Sequence, residues 1–231
     1  MNIAIIPARG GSKRIPRKNI KSFCGKPIIA WSIETALNSK CFEKVIVSTD
    51  DEEIASIAKS YGAEVPFIRS NDLADDFIPT KYVVTDVINW LGTNSIAPKF
   101  VCCIYPTAPF LKHEYLISGL KFLEEGECHF TMSIAKYPSP IQRAFTLEEM
   151  NKLSILNPEY AETRTQDLKV TFHDAGQFYW GKSESWLGHI PIFSNNTIGI
   201  EIPTHLVHDI DTIDDWIRAE YMFTTILNSN S

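Results

Sequence analysis

The stretch MNIAIIPARGGSKRIPRKN, residues 1–19, decides the fold that we expect of this chain. Residues 3–6 form an apolar run with the length of a buried strand, and Pro7 ends the run ahead of Gly10 and Gly11. Six basic residues and no acidic ones follow the strand up to position 21: Arg9, Lys13, Arg14, Arg17, Lys18 and Lys21. Because glycines allow a sharp turn with exposed N–H groups and the cations supply countercharge, the loop is predicted to hold a polyphosphate.

Two common phosphate-binding patterns do not occur in this loop. The strand is not followed by Gly-x-Gly-x-x-Gly, and the loop does not end in the Gly-Lys-Ser/Thr of a P-loop. The glycines and charges therefore leave two interpretations open, a phosphate-binding loop and a basic surface loop without a ligand. We favour the first.

The distribution of charge argues for a small anionic partner. The 231 residues are 44% hydrophobic, enough to bury a full core in one domain spanning residues 1–231. Taking the six loop cations from the 22 basic residues leaves 16 against 28 acidic ones. A nucleic-acid-binding protein is basic over a whole face, whereas here the positive charge is focused in one loop. We expect no nucleic-acid partner, although a non-catalytic nucleotide-binding protein is a remaining alternative.

The cysteines and the apolar segments indicate a cytoplasmic protein with no membrane partner. The five cysteines contain no Cys-x-x-Cys pair, so they predict neither a disulfide framework nor a zinc site. The chain shows neither a signal peptide pattern nor an apolar run long enough to span a membrane.

Strand and helix patterns alternate through residue 135. Strands are predicted at residues 3–6, 44–48, 65–68, 100–105 and 130–135. Helices are predicted from Pro27 to about residue 39, from the acidic residues 50–53 to Gly62, from a Thr80 cap past residue 91, and over residues 113–125. This alternation predicts an α/β fold with a mainly parallel sheet and helices on both faces. In such folds ligands bind at the carboxyl ends of the strands, where the basic loop lies.

The alternation breaks at residues 137–172. This segment shows no regular period, and strand patterns return at QFYWG (177–181) and NTIGIEIP (196–203). Segments of this length are usually functional or pair with another chain, and a long ordered loop is the alternative.

The pair Asp209 and Asp211 is the second candidate site. In an extended segment, residues two apart point to the same side, so both carboxylates could hold one magnesium ion whose shell is completed by phosphates. Asp-x-Asp alone is a weak signal, because Asp211 could instead cap a helix that begins near Thr212. A transition-metal site with His205 and His208 is less favoured, since oxygen-rich sites beside phosphates favour magnesium.

The order of residues adds a family resemblance. ARGGSKRIP (8–16), followed by Lys18 and Asn19, resembles the nucleotide-binding signature of the cytidylyltransferases that make CMP-linked nonulosonic acids such as sialic acid. It is more loosely similar to the wider nucleotidyltransferase superfamily. The resemblance implies a Rossmann-like fold of the nucleotide-diphospho-sugar transferase type, and it extends over the chain through further motifs: VSTD (47–50), LADD (73–76) to Thr80, YPTAP (105–109), Arg164 with Gln166, Gly176 with Tyr179, and HDIDT (208–212).

The resemblance also implies roles for individual residues. The CTP triphosphate would be held by Arg9, Ser12, Lys13, Lys18 and Asn19, and the cytidine part by Arg69 and Thr80. Lys18, Asp209 and Asp211 would be catalytic, the two aspartates as ligands of Mg²⁺. The acceptor sugar would be bound by Tyr105, Arg164, Gln166, His173 and Tyr179. The insertion at residues 137–172 would form a homodimer interface and send side chains into the partner's active site.

Two departures from the sialic acid pattern indicate the substrate. His173 to Gly176 replaces an Asn-Gly pair, and Tyr105 replaces a glutamine, which changes the sugar groups that can be hydrogen-bonded. HDAGQFYWG (173–181) resembles pseudaminic acid cytidylyltransferases, which make CMP-pseudaminic acid and pyrophosphate from CTP for bacterial surface glycans such as those on flagellin. Legionaminic, N-acetylneuraminic and 3-deoxy-octulosonic acid are alternative substrates, and a metal-dependent glycosyltransferase is an alternative enzyme. The sequence singles out no general base.

Overall fold

The computed structural model describes residues 1–75, 78–126, 128–188 and 190–229. The strands in these ranges are β1 (Asn2–Pro7), β2 (Ser22–Phe23), β3 (Lys26–Pro27), β4 (Lys44–Ser48), β5 (Phe100–Ile104), β6 (Phe130–Lys136), β7 (Phe145–Leu147), β8 (Leu153–Ile155), β9 (Phe172–Lys182) and β10 (Thr197–Glu201). The α-helices are α1 (Ile28–Ser39), α2 (Glu52–Ser60), α3 (Thr80–Thr93), α4 (His113–Glu124), α5 (Ser183–Leu187) and α6 (Ile213–Ser229). Among these residues, no helix has the length and apolar content needed to cross a membrane.

The central sheet has six strands in the order β10-β6-β9-β5-β1-β4. β1 pairs in parallel with β4 and β5, and β6 pairs in parallel with β10. β9 runs antiparallel to both of its neighbours, β5 and β6. The predicted mainly parallel sheet is confirmed, and β9 is its exception because the chain enters this strand from the insertion and not from a crossover helix.

Helices cover both faces of this sheet, as predicted. Along β1 the buried side chains alternate, with Ala4 and Ile6 in one apolar cluster and Ile3 and Ile5 in another. The first cluster includes residues of α1, α2, α4 and α6, and the second includes residues of α3 and α5. A strand buried on both faces reads as a continuous apolar run, which is why residues 3–6 were recognisable in the sequence.

Two local expectations are wrong. Residues 65–68 do not form a strand, since this segment makes only isolated bridges from Glu64 to Ile46 and from Ile68 to Thr49. Pro66 lies between these bridges and has no N–H to donate to a ladder. Thr80 does not cap α3 but is its first residue, and no side-chain hydrogen bond caps the helix at Pro79.

The insertion contains more regular structure than its sequence indicates. β7 and β8 form an antiparallel hairpin in which Leu147 is opposite Leu153. Short 3-10 helices precede, join and follow these strands. The hairpin exposes apolar side chains: Phe145, Leu147, Met150, Leu153 and Leu156. Three-residue strands are too short to show a period, which explains why the hairpin was not predicted.

β9 contains a wide bulge next to β6. Tyr179 is opposite Met132 and Asp174 is opposite Ile134, so β9 advances five positions while β6 advances two. The Ser133 hydroxyl fills the gap, because its oxygen accepts the N–H groups of Gln177 at 3.1 Å and Phe178 at 3.2 Å. The bulge therefore turns the segment after Phe172 toward the carboxyl ends of β5 and β6.

Candidate active site

The loop after β1 borders a cavity of about 290 Å³ at the carboxyl ends of β1 and β5. The Asn19 amide donates to the Arg9 carbonyl oxygen at 2.9 Å, which folds the loop back on itself. Seven predicted site residues line the cavity: Arg9, Ser12, Lys18, Asn19, Arg69, Thr80 and Tyr105. Lys13 is exposed on the same loop and is not among the lining residues.

The first glycine of the loop does not have the predicted role. Neither Gly10 nor Gly11 adopts a positive φ, whereas Arg17 does, at 56°. The Gly10 N–H donates to Asp50 Oδ1 at 3.1 Å, so this N–H is used within the chain and not on a phosphate. A Cβ atom at Gly10 would lie 2.7 Å from Asp51 Oδ2, while at Gly11 it would meet nothing within 4 Å. Gly10 is therefore needed for the close approach of the loop to the start of α2.

Arg17 uses its charge to hold this contact. Its guanidinium donates to Asp51 Oδ1 at 2.9 Å and to Glu53 Oε2 at 2.6 Å. The hydrogen bonds from Arg17 lower the pKa of Asp51 to about 2. Asp51 also caps α2 by accepting the Ile54 N–H at 2.9 Å. Of the loop cations, Arg17 is thus a structural one, a distinction that charge counting could not make.

Lys18 links the loop to the Asp209 and Asp211 segment. Its ammonium donates to the Ile210 carbonyl oxygen and lies 3.4 Å from Asp211 Oδ1. Arg14, which was not predicted as a site residue, donates to Asp211 Oδ2 at 2.6 Å. The loop and the Asp-x-Asp pair therefore form one site.

The chemistry of this aspartate pair fits a bound Mg²⁺. Burial raises the pKa of Asp209, the negative charge of Asp211 raises it further, and Lys18 opposes both effects. A divalent cation would relieve the repulsion between the two carboxylates. In the described ranges, no group of three or more His, Cys, Asp or Glu side chains is arranged to hold a metal, so phosphate oxygens and water would complete the shell. His208 instead packs against Phe110, with ring centroids 4.5 Å apart.

Arg69 is a buried cation at the wall of the cavity, with only 4% of its surface exposed. It donates to the Ser48 carbonyl oxygen at 3.1 Å, and its Nη2 lies 3.6 Å from Asp50 Oδ1. Among the described residues, its Nε has no hydrogen-bond partner. Burial lowers the pKa of Arg69 and the charge of Asp50 opposes this shift, so the cation is incompletely compensated.

The predicted acceptor residues fall into two groups. Tyr105 lines the cavity, and Tyr179 lies beside it with ring centroids 5.6 Å apart. His173, at the start of β9, packs against Tyr137 with ring centroids 4.9 Å apart. Arg164 and Gln166, in contrast, are exposed on the insertion and do not line the cavity of their own chain.

Some lining residues were predicted only as part of a motif or not at all. Leu73, Asp75 and Ile78 come from the segment between residues 65–68 and α3. Leu73 and Asp75 belong to the LADD motif, whose last residue, Asp76, lies outside the described residues. Pro106 and Thr107 follow Tyr105 in the YPTAP motif. The carboxyl end of β5 was the signal that could have identified these two residues.

The comparison with known proteins identifies the family of this site. The model of a family described as cytidylyltransferase matches residues 3–212. The chain belongs to the cytidylyltransferase family. It is therefore a nucleotidyltransferase enzyme, and the predicted family membership is confirmed.

Individual relatives of this cytidylyltransferase agree with that assignment. A pseudaminic acid cytidylyltransferase from Campylobacter jejuni is 43% identical over 222 residues, covering 96% of each chain. A CMP-N,N'-diacetyllegionaminic acid synthase from Legionella pneumophila is 45% identical over 112 residues, covering 48% of each chain. A solved CMP:2-keto-3-deoxy-manno-octonic acid synthetase complexed with CTP superposes with a TM-score of 0.72 at 14% identity, covering 97% of this chain and 98% of that one. This last similarity confirms the predicted nucleotidyltransferase-like fold.

Proposed function

We propose that this cytidylyltransferase transfers CMP from CTP to pseudaminic acid, giving CMP-pseudaminic acid and pyrophosphate. The observation that carries the proposal is the contact between the cationic loop and Asp211. Lys18 of this loop lines the cavity and also contacts Asp211. The C. jejuni relative, similar over nearly its whole length, supports pseudaminic acid as the acceptor. The product would supply bacterial surface or flagellin glycosylation.

The residues that line the cavity could serve both ends of CTP. Arg9, Ser12, Lys18 and Asn19, all from the loop after β1, would bind the triphosphate together with Lys13 of the same loop. Charged hydrogen-bond donors become more valuable as negative charge develops on the leaving pyrophosphate. Arg69 and Thr80 line the same cavity, and they would hold the cytidine part.

Asp209 and Asp211 would hold Mg²⁺ with the phosphates of CTP. Bound there, Mg²⁺ would polarise the α-phosphate and lower the pKa of the acceptor's attacking hydroxyl. Lys18 donates to the carbonyl between these aspartates, so it also fixes the segment that carries them. In our proposal Lys18, Asp209 and Asp211 are the catalytic residues.

The acceptor would enter beside Tyr105, Tyr179 and His173. Arg164 and Gln166 would reach it from the insertion of the partner subunit in a homodimer. The apolar side chains exposed on the hairpin at residues 145–156 support this dimer, because such a surface on a monomer would face water. We also propose a cytoplasmic location, since the cysteines, all of which lie in the described residues, form no disulfide.

Legionaminic acid is the second candidate substrate, because the L. pneumophila relative is 45% identical over about half of this chain. The decisive experiment measures pyrophosphate release with CTP and Mg²⁺. Pseudaminic, legionaminic, N-acetylneuraminic and 3-deoxy-octulosonic acid are compared in parallel. We expect turnover with pseudaminic acid to exceed that with each of the others by at least about tenfold in kcat/KM. Preference for another acid would keep the reaction class and overturn the substrate, and turnover with none of them would contradict the proposed function.

A further inference from the structure

Asp50 is a mostly buried carboxylate that the proposed function does not use. It follows β4 in the VSTD motif (47–50), at the carboxyl end of that strand, and its side chain is 17% exposed. Asp50 Oδ1 accepts the N–H of Gly10 at 3.1 Å. The same oxygen lies 3.6 Å from Arg69 Nη2, which is an ion-pair distance. One carboxylate oxygen therefore contacts both the basic loop and the buried cation of the cavity wall.

The contact with Gly10 fixes the beginning of the basic loop. The ladder between β1 and β4 continues to Ala8, whose N–H donates to the Ser48 carbonyl oxygen at 2.9 Å. The bond from Gly10 to Asp50 extends this connection past the end of the sheet. Gly10 lies between Arg9 and Ser12, which both line the cavity. Asp50 thus holds the backbone that carries two of the proposed triphosphate-binding side chains.

The contact with Arg69 is one of two that hold its guanidinium. Nη1 donates to the carbonyl oxygen of Ser48 at 3.1 Å and to its hydroxyl oxygen at 3.4 Å. Among the described residues, Nε has no partner, and Asp50 provides the one carboxylate at ion-pair distance. Loss of the Asp50 charge would leave Ser48 as the remaining anchor of a buried cation.

A second cation lies near Arg69 and makes this anchor more important. Burial lowers the pKa of Arg69, and the positive charge of Arg9 also lowers it, whereas the charges of Asp50 and Asp86 oppose both effects. Arg9 and Arg69 therefore repel each other across the cavity that both of them line. Without Asp50, this repulsion would favour a displaced Arg69.

We propose that Asp50 is a positioning residue that holds Arg69 at a fixed separation from the triphosphate-binding loop, so that one nucleotide can contact both. A guanidinium held in one place suits cytosine, whose carbonyl oxygen and neighbouring ring nitrogen both accept hydrogen bonds. Uracil carries a hydrogen on that nitrogen and fits a donor less well. This inference rests on the proposed function for the identity of the nucleotide, whereas the bridge from Gly10 to Arg69 rests on the geometry alone.

Two substitutions separate the contacts of Asp50. Asp50→Asn keeps an oxygen that can accept from Gly10, but it removes the charge that pairs with Arg69. Asp50→Ala removes both contacts. Asp86→Asn is the matched control, because the charge of Asp86 acts on Arg69 although no ion pair joins these two described residues.

Isothermal titration calorimetry with Mg²⁺ compares the binding of CTP, UTP and inorganic tripolyphosphate. We expect Asp50→Asn to lower the preference for CTP over UTP about tenfold and to leave the Kd for tripolyphosphate within about twofold. Asp50→Ala should in addition weaken tripolyphosphate binding about fivefold or more, since the loop loses its anchor. Asp86→Asn should keep the wild-type preference. An unchanged preference in Asp50→Asn, identical behaviour of the two Asp50 variants, or failure of both to fold would overturn the proposal.

NMR of the ligand-free protein tests the position of Arg69 without a nucleotide. The Nε–H of Arg69, assigned as the resonance missing in Arg69→Lys, should exchange slowly with solvent in the wild type because this atom is buried. In Asp50→Asn we expect exchange about tenfold faster or more, and in Asp86→Asn no change. Equal exchange in Asp50→Asn and the wild type would overturn the proposal. Failure of the proposed function would appear differently, as a wild-type protein that binds no CTP and releases no pyrophosphate.

Discussion

Gly10 shows how one missing side chain determines the position of the basic loop. The loop approaches the start of α2 so closely that a methyl group at Gly10 would meet the Asp51 carboxylate, which Arg17 holds. Gly11, next in the chain, is in open space. The two glycines look equivalent in the sequence, but only one of them is required.

Gly10→Ala should therefore separate Arg17 from Asp51. We expect a loss of about 1–3 kcal/mol in the free energy of unfolding, as for other side chains forced into a packed contact. The KM for CTP should rise because the loop is displaced. Gly11→Ala is the matched control and should be neutral within about 0.5 kcal/mol. Urea unfolding measures the stabilities, and equal values for the two variants would contradict the close-contact explanation.

The Arg17–Asp51 pair also predicts a dependence of stability on pH. The hydrogen bonds from Arg17 lower the pKa of Asp51 from 3.8 to about 2. A lowered folded-state pKa means that the stabilisation is present above about pH 4 and is lost as the pH falls to about 2. With a discount for solvent screening we expect about 1–2 kcal/mol. Asp51→Asn should remove this part of the acid destabilisation in urea titrations at pH 6, 4 and 3. An identical pH profile in the variant would exclude the pair as its source.

Asp211→Asn tests the metal-binding hypothesis. Asp211 is only partly buried and its contacts are with flexible cations, so the variant should fold normally. Loss of a Mg²⁺ ligand should reduce turnover by about 100-fold or more. Asp214→Asn, in the exposed first turn of α6, is the control and should retain activity. Normal turnover of Asp211→Asn with Mg²⁺ would remove Asp211 from the mechanism.

At the scale of elements, the β9 bulge connects the two halves of the site. Gln177 lies in the bulge, 4% exposed, and its amide donates to the Leu206 carbonyl oxygen at 2.6 Å. Leu206 belongs to the segment that leads to Asp209 and Asp211. The acceptor side and the proposed metal side are thus joined by one buried hydrogen bond.

Gln177→Met keeps the length of this side chain and removes its donor. The Leu206 carbonyl would lose the bond from its amide partner, and we expect a cost of about 1–3 kcal/mol in the free energy of unfolding. The Asp209–Asp211 segment should also move, which lowers kcat more than it raises the KM for CTP. Thermal unfolding and steady-state kinetics measure the two effects. Wild-type values for both would show that the bond does not position the segment.

For the whole molecule, the central question is whether one chain has a complete site. The cavity contains the predicted nucleotide-binding residues except Lys13, but Arg164 and Gln166 are exposed on the insertion. The insertion also exposes its hairpin side chains, with Leu147 and Leu153 each 67% exposed. A second copy of the chain would explain both features.

The double variant Leu147→Asp, Leu153→Asp should dissociate the proposed homodimer. Two charges placed opposite each other in an apolar interface cost several kcal/mol once desolvated. We expect a monomer in light scattering and a loss of turnover of about tenfold or more. Phe193→Asp is the control, since Phe193 is 70% exposed outside the insertion. A wild-type protein that is already monomeric and active would contradict the dimer hypothesis.

The sequence by itself determined the features that depend on near neighbours in the chain. The apolar run at residues 3–6, the helical spacings and the short motifs predicted the mainly parallel sheet, most of its elements and the family, because periodicity and local chemistry are written in consecutive residues. The predicted nucleotide-binding residues Arg9, Ser12, Lys18 and Asn19 line one cavity together with Arg69 and Thr80.

Only the tertiary structure decided which of these residues meet and what each charge does. Lys18 and Asp211 are 193 positions apart, and the neighbouring cations Arg17 and Lys18 have different roles because Arg17 is held by Asp51 whereas Lys18 lines the cavity. The antiparallel β9, its bulge and the bond from Tyr179 to Asp174 likewise depend on strands that are distant in the chain. Such contacts follow from how whole elements pack, a free-energy balance that no local pattern contains.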